Sequence, residues 1–205
     1  MDMSKSYLVL SAFLVQYCFM VSYAMIVRNL STDQHALVEV KGLISDPHNI
    51  LANNWTDTNS VCNWIGVSCA IKHRRVRGLN LPNMNLAGTI PPHLGNLSFL
   101  ASLNLSANNF HGHLPKELGH LSRLKLIDLS FNFFNAEVPS WFGRLDQVLH
   151  LALETIISQN QLSGFIPRSV GNLTRLNSLY IGGNSLEDLF CASHAPKWVD
   201  PAFNL

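Results

Sequence analysis

The run Leu97-Ser-Phe-Leu-Ala-Ser-Leu-Asn-Leu105, continued by Ser-Ala-Asn108-Asn-Phe-His-Gly-His-Leu-Pro115, is a unit that the chain repeats. Leu103 and Leu105 alternate with Ser102 and Asn104, a period of two that makes a short strand with one buried face. Leu121-Ser-Arg-Leu-Lys-Leu-Ile-Asp-Leu129 begins the same pattern 24 residues later. Leu145-Asp-Gln-Val-Leu-His-Leu-Ala-Leu153 follows after another 24, and Leu173-Thr-Arg-Leu-Asn-Ser-Leu-Tyr-Ile181 begins a further copy. One such unit cannot cover its own leucines. Units stacked in parallel bury them against their neighbours and build a continuous core.

Counting outward from Leu97 gives units at 73–96, 97–120, 121–144, 145–172 and an incomplete 173–190. Their second halves also recur: Leu86-Ala-Gly-Thr-Ile-Pro91, Phe110-His-Gly-His-Leu-Pro115, Phe134-Asn-Ala-Glu-Val-Pro139 and Leu162-Ser-Gly-Phe-Ile-Pro167. The prolines fix an extended return segment. Asn108, Asn132, Asn160 and Asn184 each follow a strand, where a buried amide can bond the backbone as it turns inward. The first unit has Met84 at that position, so its rung is expected to be missing. An amphipathic helix bundle would also use many leucines, but not a proline and usually a glycine at fixed offsets in each unit. The fold expected is an α/β solenoid, with short parallel strands on the concave face, a helical N-terminal cap and an irregular or 3-10 convex side.

Residues 1–24 read as a secretory signal peptide: Lys5, an apolar run over Tyr7–Tyr23, then small residues at Ser22 and Ala24. The rival reading is a signal anchor, but Gln16 breaks a run already shorter than the roughly 20 residues of a membrane span. No later segment could span a membrane. Residues 25–72 read as the cap. Ser31 with Gln34 resembles a capping box. Ala36, Leu37, Val40, Leu43 and Ile44 give helical spacing, and Asp46-Pro47 is expected to end that helix. Trp55 and Trp64 are large enough to cover the end of the stack. In a secreted chain, Cys62 and Cys69 are expected to form a disulfide and Cys191 to remain free. The competing assignment, a metal site using Cys62, Cys69 and His73, lacks a fourth ligand.

The pattern L-x-x-L-x-x-L-x-L-x-x-N-x-L-x-G-x-I-P-x-x-L-G is similar to the plant-type extracellular leucine-rich repeat. The segment from Asp33-Gln-His-Ala-Leu through Asn54-Trp55 to Cys62-Asn-Trp-Ile-Gly-Val-Ser-Cys69 resembles that family's N-terminal cap. Together they cover about residues 31–186 and resemble the start of the ectodomain of plant leucine-rich-repeat receptor-like kinases. That resemblance implies a protein or peptide ligand, a co-receptor ectodomain as a further partner, and no cofactor. It carries no kinase activity here, since the glycine-rich loop and catalytic aspartates belong to a domain this chain lacks.

Charge excludes another class of function. The net charge is +1 and 13% of residues are charged, which does not suit a nucleic-acid partner. The basic run Lys72, His73, Arg74, Arg75 and Arg77 reads as the solvated approach to the first strand. No nucleophile–base arrangement is recognisable, His111-Gly-His113 lacks a third ligand, and Gly182-Gly183 lacks the rest of a phosphate loop. The chain therefore reads as a binding module with no catalytic or metal-binding residues.

Its expected binding face is formed by the solvent-facing strand residues Asn80, Ser102, Asn104, Leu126, Asp128, His150, Ser178 and Tyr180, with Gly78 and Ala152 beside them. Five strands at about 4.8 Å spacing give a face of roughly 400 Å², half of the roughly 800 Å² per partner that a standard interface buries. Use of the flanks is the alternative to weak binding. Sequons at Asn29, Asn54, Asn96, Asn104 and Asn172 make glycosylation expected on the secretory route. Two irregularities break the pattern. Four extra residues fall near Glu154–Ser158, and Glu187-Asp-Leu-Phe-Cys191 replaces the expected glycine, apolar and proline positions before a non-repeat tail, 191–205. The expectation is a truncated receptor ectodomain serving defence or developmental signalling at the cell exterior. The alternatives are a secreted inhibitor of a cell-wall-degrading enzyme, similar to polygalacturonase-inhibiting proteins, and a non-functional fragment.

Overall fold

The computed structural model describes residues 14–17, 30–154 and 160–187. The predicted signal segment (apart from 14–17), Asn29, residues 155–159, which hold all of the insertion near Glu154–Ser158 except Glu154, and the tail with Cys191 lie outside the described residues. Helix α1 covers residues 30–43 and a short α2 covers Ile50–Asn54. The concave sheet then runs through Val67–Cys69 (β1), Val76–Asn80 (β2), Ser102–Asn104 (β4), Leu126–Asp128 (β6), His150–Ala152 (β8) and Ser178–Tyr180 (β10), neighbours in that order. All pairings are parallel except that of β1 with β2. Register follows the repeat: Leu79, Leu103, Ile127, Leu151 and Leu179 form one buried row.

Each unit returns along the convex side through a 3-10 turn: Pro92–Asn96, Lys116–His120, Ser140–Arg144 and Arg168–Asn172. Each turn is preceded by an extended proline, Pro91, Pro115, Pro139 or Pro167. The glycine late in the unit has a steric reason. Gly95 and Gly143 pass so close to the next unit that a Cβ would strike the carbonyl oxygens of Glu117 and Ser169. Between the concave and convex sides lie further short strands that the residue pattern did not suggest. Ala87–Gly88 (β3), Asn109–Gly112 (β5) and Phe133–Phe134 (β7) form one parallel ladder, and Ser163–Gly164 (β9) pairs with Ser185–Leu186 (β11).

The asparagines form the expected ladder, and each joins two units. Asn132 Nδ2 donates to Leu129 O and Ser130 O of its own turn and to Leu105 O one unit back, while its Oδ1 accepts from Phe110 N–H of that earlier unit. Asn108 likewise serves Met84 N–H, Leu86 N–H and Leu81 O. The first unit therefore needs no asparagine of its own, because the second unit satisfies its turn. The insertion leaves the ladder intact. Asn108, Asn132 and Asn184 bond the carbonyl three residues before them, whereas Asn160 bonds Leu153 O, seven before it. The four added residues fall between those two anchors.

The cap closes the N-terminal end of the stack. Trp55 and Trp64 stack with centroids 5.4 Å apart and are both buried. Trp55 Nε1 donates to Ile65 O and Trp64 Nε1 to Thr56 O. Cys62 and Cys69 form a disulfide across a separation of seven residues. By the chain-entropy relation, a loop of this length contributes about 2.5 kcal/mol. Strand β1 occupies the open edge of β2, so the concave sheet has six strands where the repeat alone predicts five. It also covers Gly78, whose expected exposure is corrected: Ser68 lies against it, and the residue is buried.

Two cap expectations change. Leu43 is exposed, and only Ala36, Leu37, Val40 and Ile44 of that set enter the core. Asp46 does not end α1, which stops at residue 43. Its carboxylate accepts the N–H groups of Ile50, Leu51 and Ala52 and so starts α2.

The basic run also requires correction. Arg75 is 6% exposed and its guanidinium clasps Asp33, which is 0% exposed, with Nε–Oδ2 2.8 Å and Nη2–Oδ1 2.7 Å. Asp33 Oδ2 also accepts Val76 N–H at 2.8 Å. This bidentate pair pins the first turns of α1 to the start of β2, and Arg75 additionally donates to Ser98 Oγ. Far from being solvated, Arg75 is the cap's polar anchor on the stack.

Candidate binding face

Along the concave sheet, every second side chain points into the core and the others face outward. Parallel register sets the outward residues in two rows. Ser102, Leu126, His150 and Ser178 form one, and Asn80, Asn104, Asp128, Ala152 and Tyr180 form the other. All are exposed or half-buried, with Tyr180 at 50% and Leu126 at 36%. Asn104 Oδ1 accepts both Ser106 N–H (3.0 Å) and Ser106 Oγ–H (2.7 Å), and Asp128 Oδ1 accepts Ser130 N–H at 3.1 Å. These bonds hold the two side chains in place before any partner arrives. Asn80 cannot form the same turn, since Pro82 has no N–H to offer.

The flanks differ sharply from this polar floor. Beyond the C-terminal ends of the strands an open groove of about 700 Å³ is lined by His48, Ile50, Met84, Ala107, Phe131 and Phe133. Ala107 and Phe131, one unit apart, both turn there with φ near +55° (55° and 54°), a left-handed backbone that costs L residues roughly 1–2 kcal/mol each. Ahead of the strands lies a second flank. The Arg123 guanidinium rests 4.0 Å from the centre of the Phe99 ring, which Arg75 also covers at 4.5 Å. Two units further along, Arg175 Nη1 donates to Gln147 Oε1. Arg77 and Lys125 stand beside this column, exposed. Neither flank was among the residues singled out from alternation, because neither lies on a strand.

Among the described residues no three His, Cys, Asp or Glu side chains gather where they could hold a metal ion. Nor is any described helix long and apolar enough to cross a membrane. His111 lies on β5 with its neighbour in register Phe133, away from the concave face. The cysteines offered as alternative metal ligands are bonded to each other.

Residues 30–70 match the leucine rich repeat N-terminal domain, and residues 99–121 and 123–145 match the leucine rich repeat. A putative receptor-like protein kinase of Arabidopsis thaliana is 44% identical over 72 residues, which is 35% of this chain and 7% of that relative. The chain thus matches only a small part of that kinase's length. The BIR2 ectodomain of Arabidopsis thaliana is 36% identical with a TM-score of 0.70, over 76% of this chain and 82% of that one. The Arabidopsis receptor kinase HAESA, solved with the peptide hormone IDA and the co-receptor SERK1, is 31% identical with a TM-score of 0.56, over 77% of this chain and 30% of its own. The asparagine ladder, the capped parallel sheet and these likenesses agree, and the chain belongs to the family of plant leucine-rich-repeat receptor ectodomains.

Proposed function

We propose that this chain is an extracellular recognition module that presents its concave sheet, with the adjoining flanks, to a protein or peptide ligand and to a co-receptor ectodomain. The observation that carries the reading is the outward face itself. Its side chains are held in register on a rigid stack, with Asn104 and Asp128 tied to the turn that follows. A preorganised surface loses little entropy on binding. HAESA, of the same fold, is solved with a peptide hormone and a co-receptor, which supports both partner classes. The module would act in defence or developmental signalling on the outer side of the plasma membrane, reached through the secretory pathway, and it would perform no catalysis.

Binding to a panel of plant receptor ectodomains and secreted peptides tests this, using the full chain expressed through a secretory host. Tyr180→Ala with His150→Ala is expected to weaken the partner found at least tenfold, about 1.4 kcal/mol, whereas His113→Ala on the other side leaves it unchanged. Equal losses from both would overturn the reading. The sequons fit the same picture. Asn96 and Asn172 end equivalent convex turns, both exposed, and are proposed to carry glycans. Asn104 faces the binding side and is proposed to stay bare. Peptide mapping after glycosidase treatment should therefore find conversion at Asn96 and Asn172 and none at Asn104.

A further inference from the structure

The near-zero net charge conceals a local excess of cations. On the flank ahead of the strands, Arg77, Arg123, Lys125 and Arg175 are all exposed, and Arg74 stands at the cap end of the same strip. None of these five is paired with a carboxylate among the described residues, and the one acid on the strip is Asp146. The nearest other carboxylate, Asp128, stands at the far end of β6 with Oδ1 accepting Ser130 N–H, and Glu117 on a convex turn, Glu39 on α1 and Asp57 in the cap lie elsewhere. We infer that this strip is a docking site for an acidic peptide segment, the part of the recognised partner that seats against the edge of the concave sheet. The inference rests on the recognition reading and adds the partner's charge and spacing.

Three features favour a peptide. The first is spacing. Arg77 and Lys125 are two strands apart in one column, and Arg123 and Arg175 two units apart in the next. Both separations are about 10 Å at strand spacing, which is three residues of extended chain. A second is order. Arg123 is laid on Phe99 and Arg175 is held by Gln147, so these cations need little further immobilisation. The third is composition. Leu126 is 36% exposed next to Lys125, and Leu149 is half-buried beside His150, so apolar surface alternates with charge along the strip. A peptide can answer both in one strand, with carboxylates for the cations and aliphatic side chains for the leucines. An acidic polysaccharide answers only the charge.

The test uses a fluorescein-labelled (Glu-Gly-Leu)4 peptide, whose acids recur at that three-residue spacing, in fluorescence anisotropy against the full chain. The expected result is saturable binding at about 20 mM salt that weakens roughly tenfold by about 200 mM. Arg123→Glu with Lys125→Glu should weaken it by a further tenfold or more. Arg123→Gln with Lys125→Gln, a milder pair, should give an intermediate loss with an unchanged melting temperature. No binding by (Glu-Gly-Leu)4, equal binding by (Lys-Gly-Leu)4, or indifference to both double substitutions would overturn the inference. So would an oligogalacturonate of equal charge that binds more tightly than the peptide, since that assigns the strip to a sugar polyanion. If the strip variants have no effect while Tyr180→Ala with His150→Ala still weakens the partner, the strip fails and the recognition reading stands.

Discussion

Asp33→Ala is expected to lower the stability of the cap and first repeats by about 3–5 kcal/mol, seen in urea unfolding followed through the fluorescence of Trp55 and Trp64. The reason is asymmetry. Removing one partner of a buried ion pair leaves the other charge buried and uncompensated, which costs far more than the pair contributes as a whole. Here the Arg75 guanidinium would lose both carboxylate bonds, and the buried Val76 N–H would lose its acceptor. The discriminating variant is the double Asp33→Leu with Arg75→Met, which removes both charges and keeps apolar volume. It should recover most of the loss, leaving only the price of the unmet Val76 N–H, about 1–3 kcal/mol. A single substitution that costs under about 1 kcal/mol, or a double no better than the single, would show that the pair does not hold the cap to the stack.

That anchor was invisible to a reading of the sequence, and the cause is physical. Asp33 and Arg75 are 42 residues apart, and nothing local links them. Arg75 stands in a run of basic residues, where solvation is the ordinary outcome, and one of the five is buried only because α1 brings a carboxylate to it. The repeat was legible for the opposite reason. Its information is local and is stated several times over, so that Leu79, Leu103, Ile127, Leu151 and Leu179 could be assigned to one row before any contact was known. Strand β1 has three residues, like β4, β6, β8 and β10, but it stands outside the repeat and no later unit restates it, and β3, β7, β9 and β11 have two each. They exist because stacked units bring backbone groups into register, not because their side chains favour strands. Gly78 was misplaced as a consequence, since the strand that covers it left no trace in the pattern.

The concave face was legible to the extent that alternation defines it. Ser102, Leu126, His150 and Tyr180 do face outward, while the two flanks come from residues between strands, where no period applies. Reading down the 24-residue columns would have found one of them. Arg75, Phe99, Arg123, Gln147 and Arg175 occupy a single column once the insertion is counted, and a column of cations and planar groups signals stacking.

The largest effect inside the repeats is expected from Asn132→Leu. Asn132 is 0% exposed, and it satisfies one N–H and three carbonyls drawn from two adjacent units. Leucine has the same branched shape but offers no polar atoms, so the Phe110 N–H would be left unmet in the core at about 1–3 kcal/mol. Each carbonyl would lose one of two donors and keep the other: Asn108 for Leu105 O, Asn160 for Leu129 O and Ala107 N–H for Ser130 O. The carbonyls tolerate the loss better than the Phe110 N–H, so a total of about 3–4 kcal/mol is expected. Position in the stack supplies the control. Asn184 makes the same kind of bonds in the last described unit but is only half-buried, so water can replace part of what it gives. Asn184→Leu should therefore cost roughly 1–2 kcal/mol. Because Asn132 bridges two units in mid-stack, its loss should also split one cooperative unfolding transition into two, with the cap and first repeats melting apart from the rest. A single transition with similar losses at Asn132 and Asn184 would mean that the leucine rows alone couple the units. The asparagine ladder would then serve the turn of each unit and not the continuity of the stack.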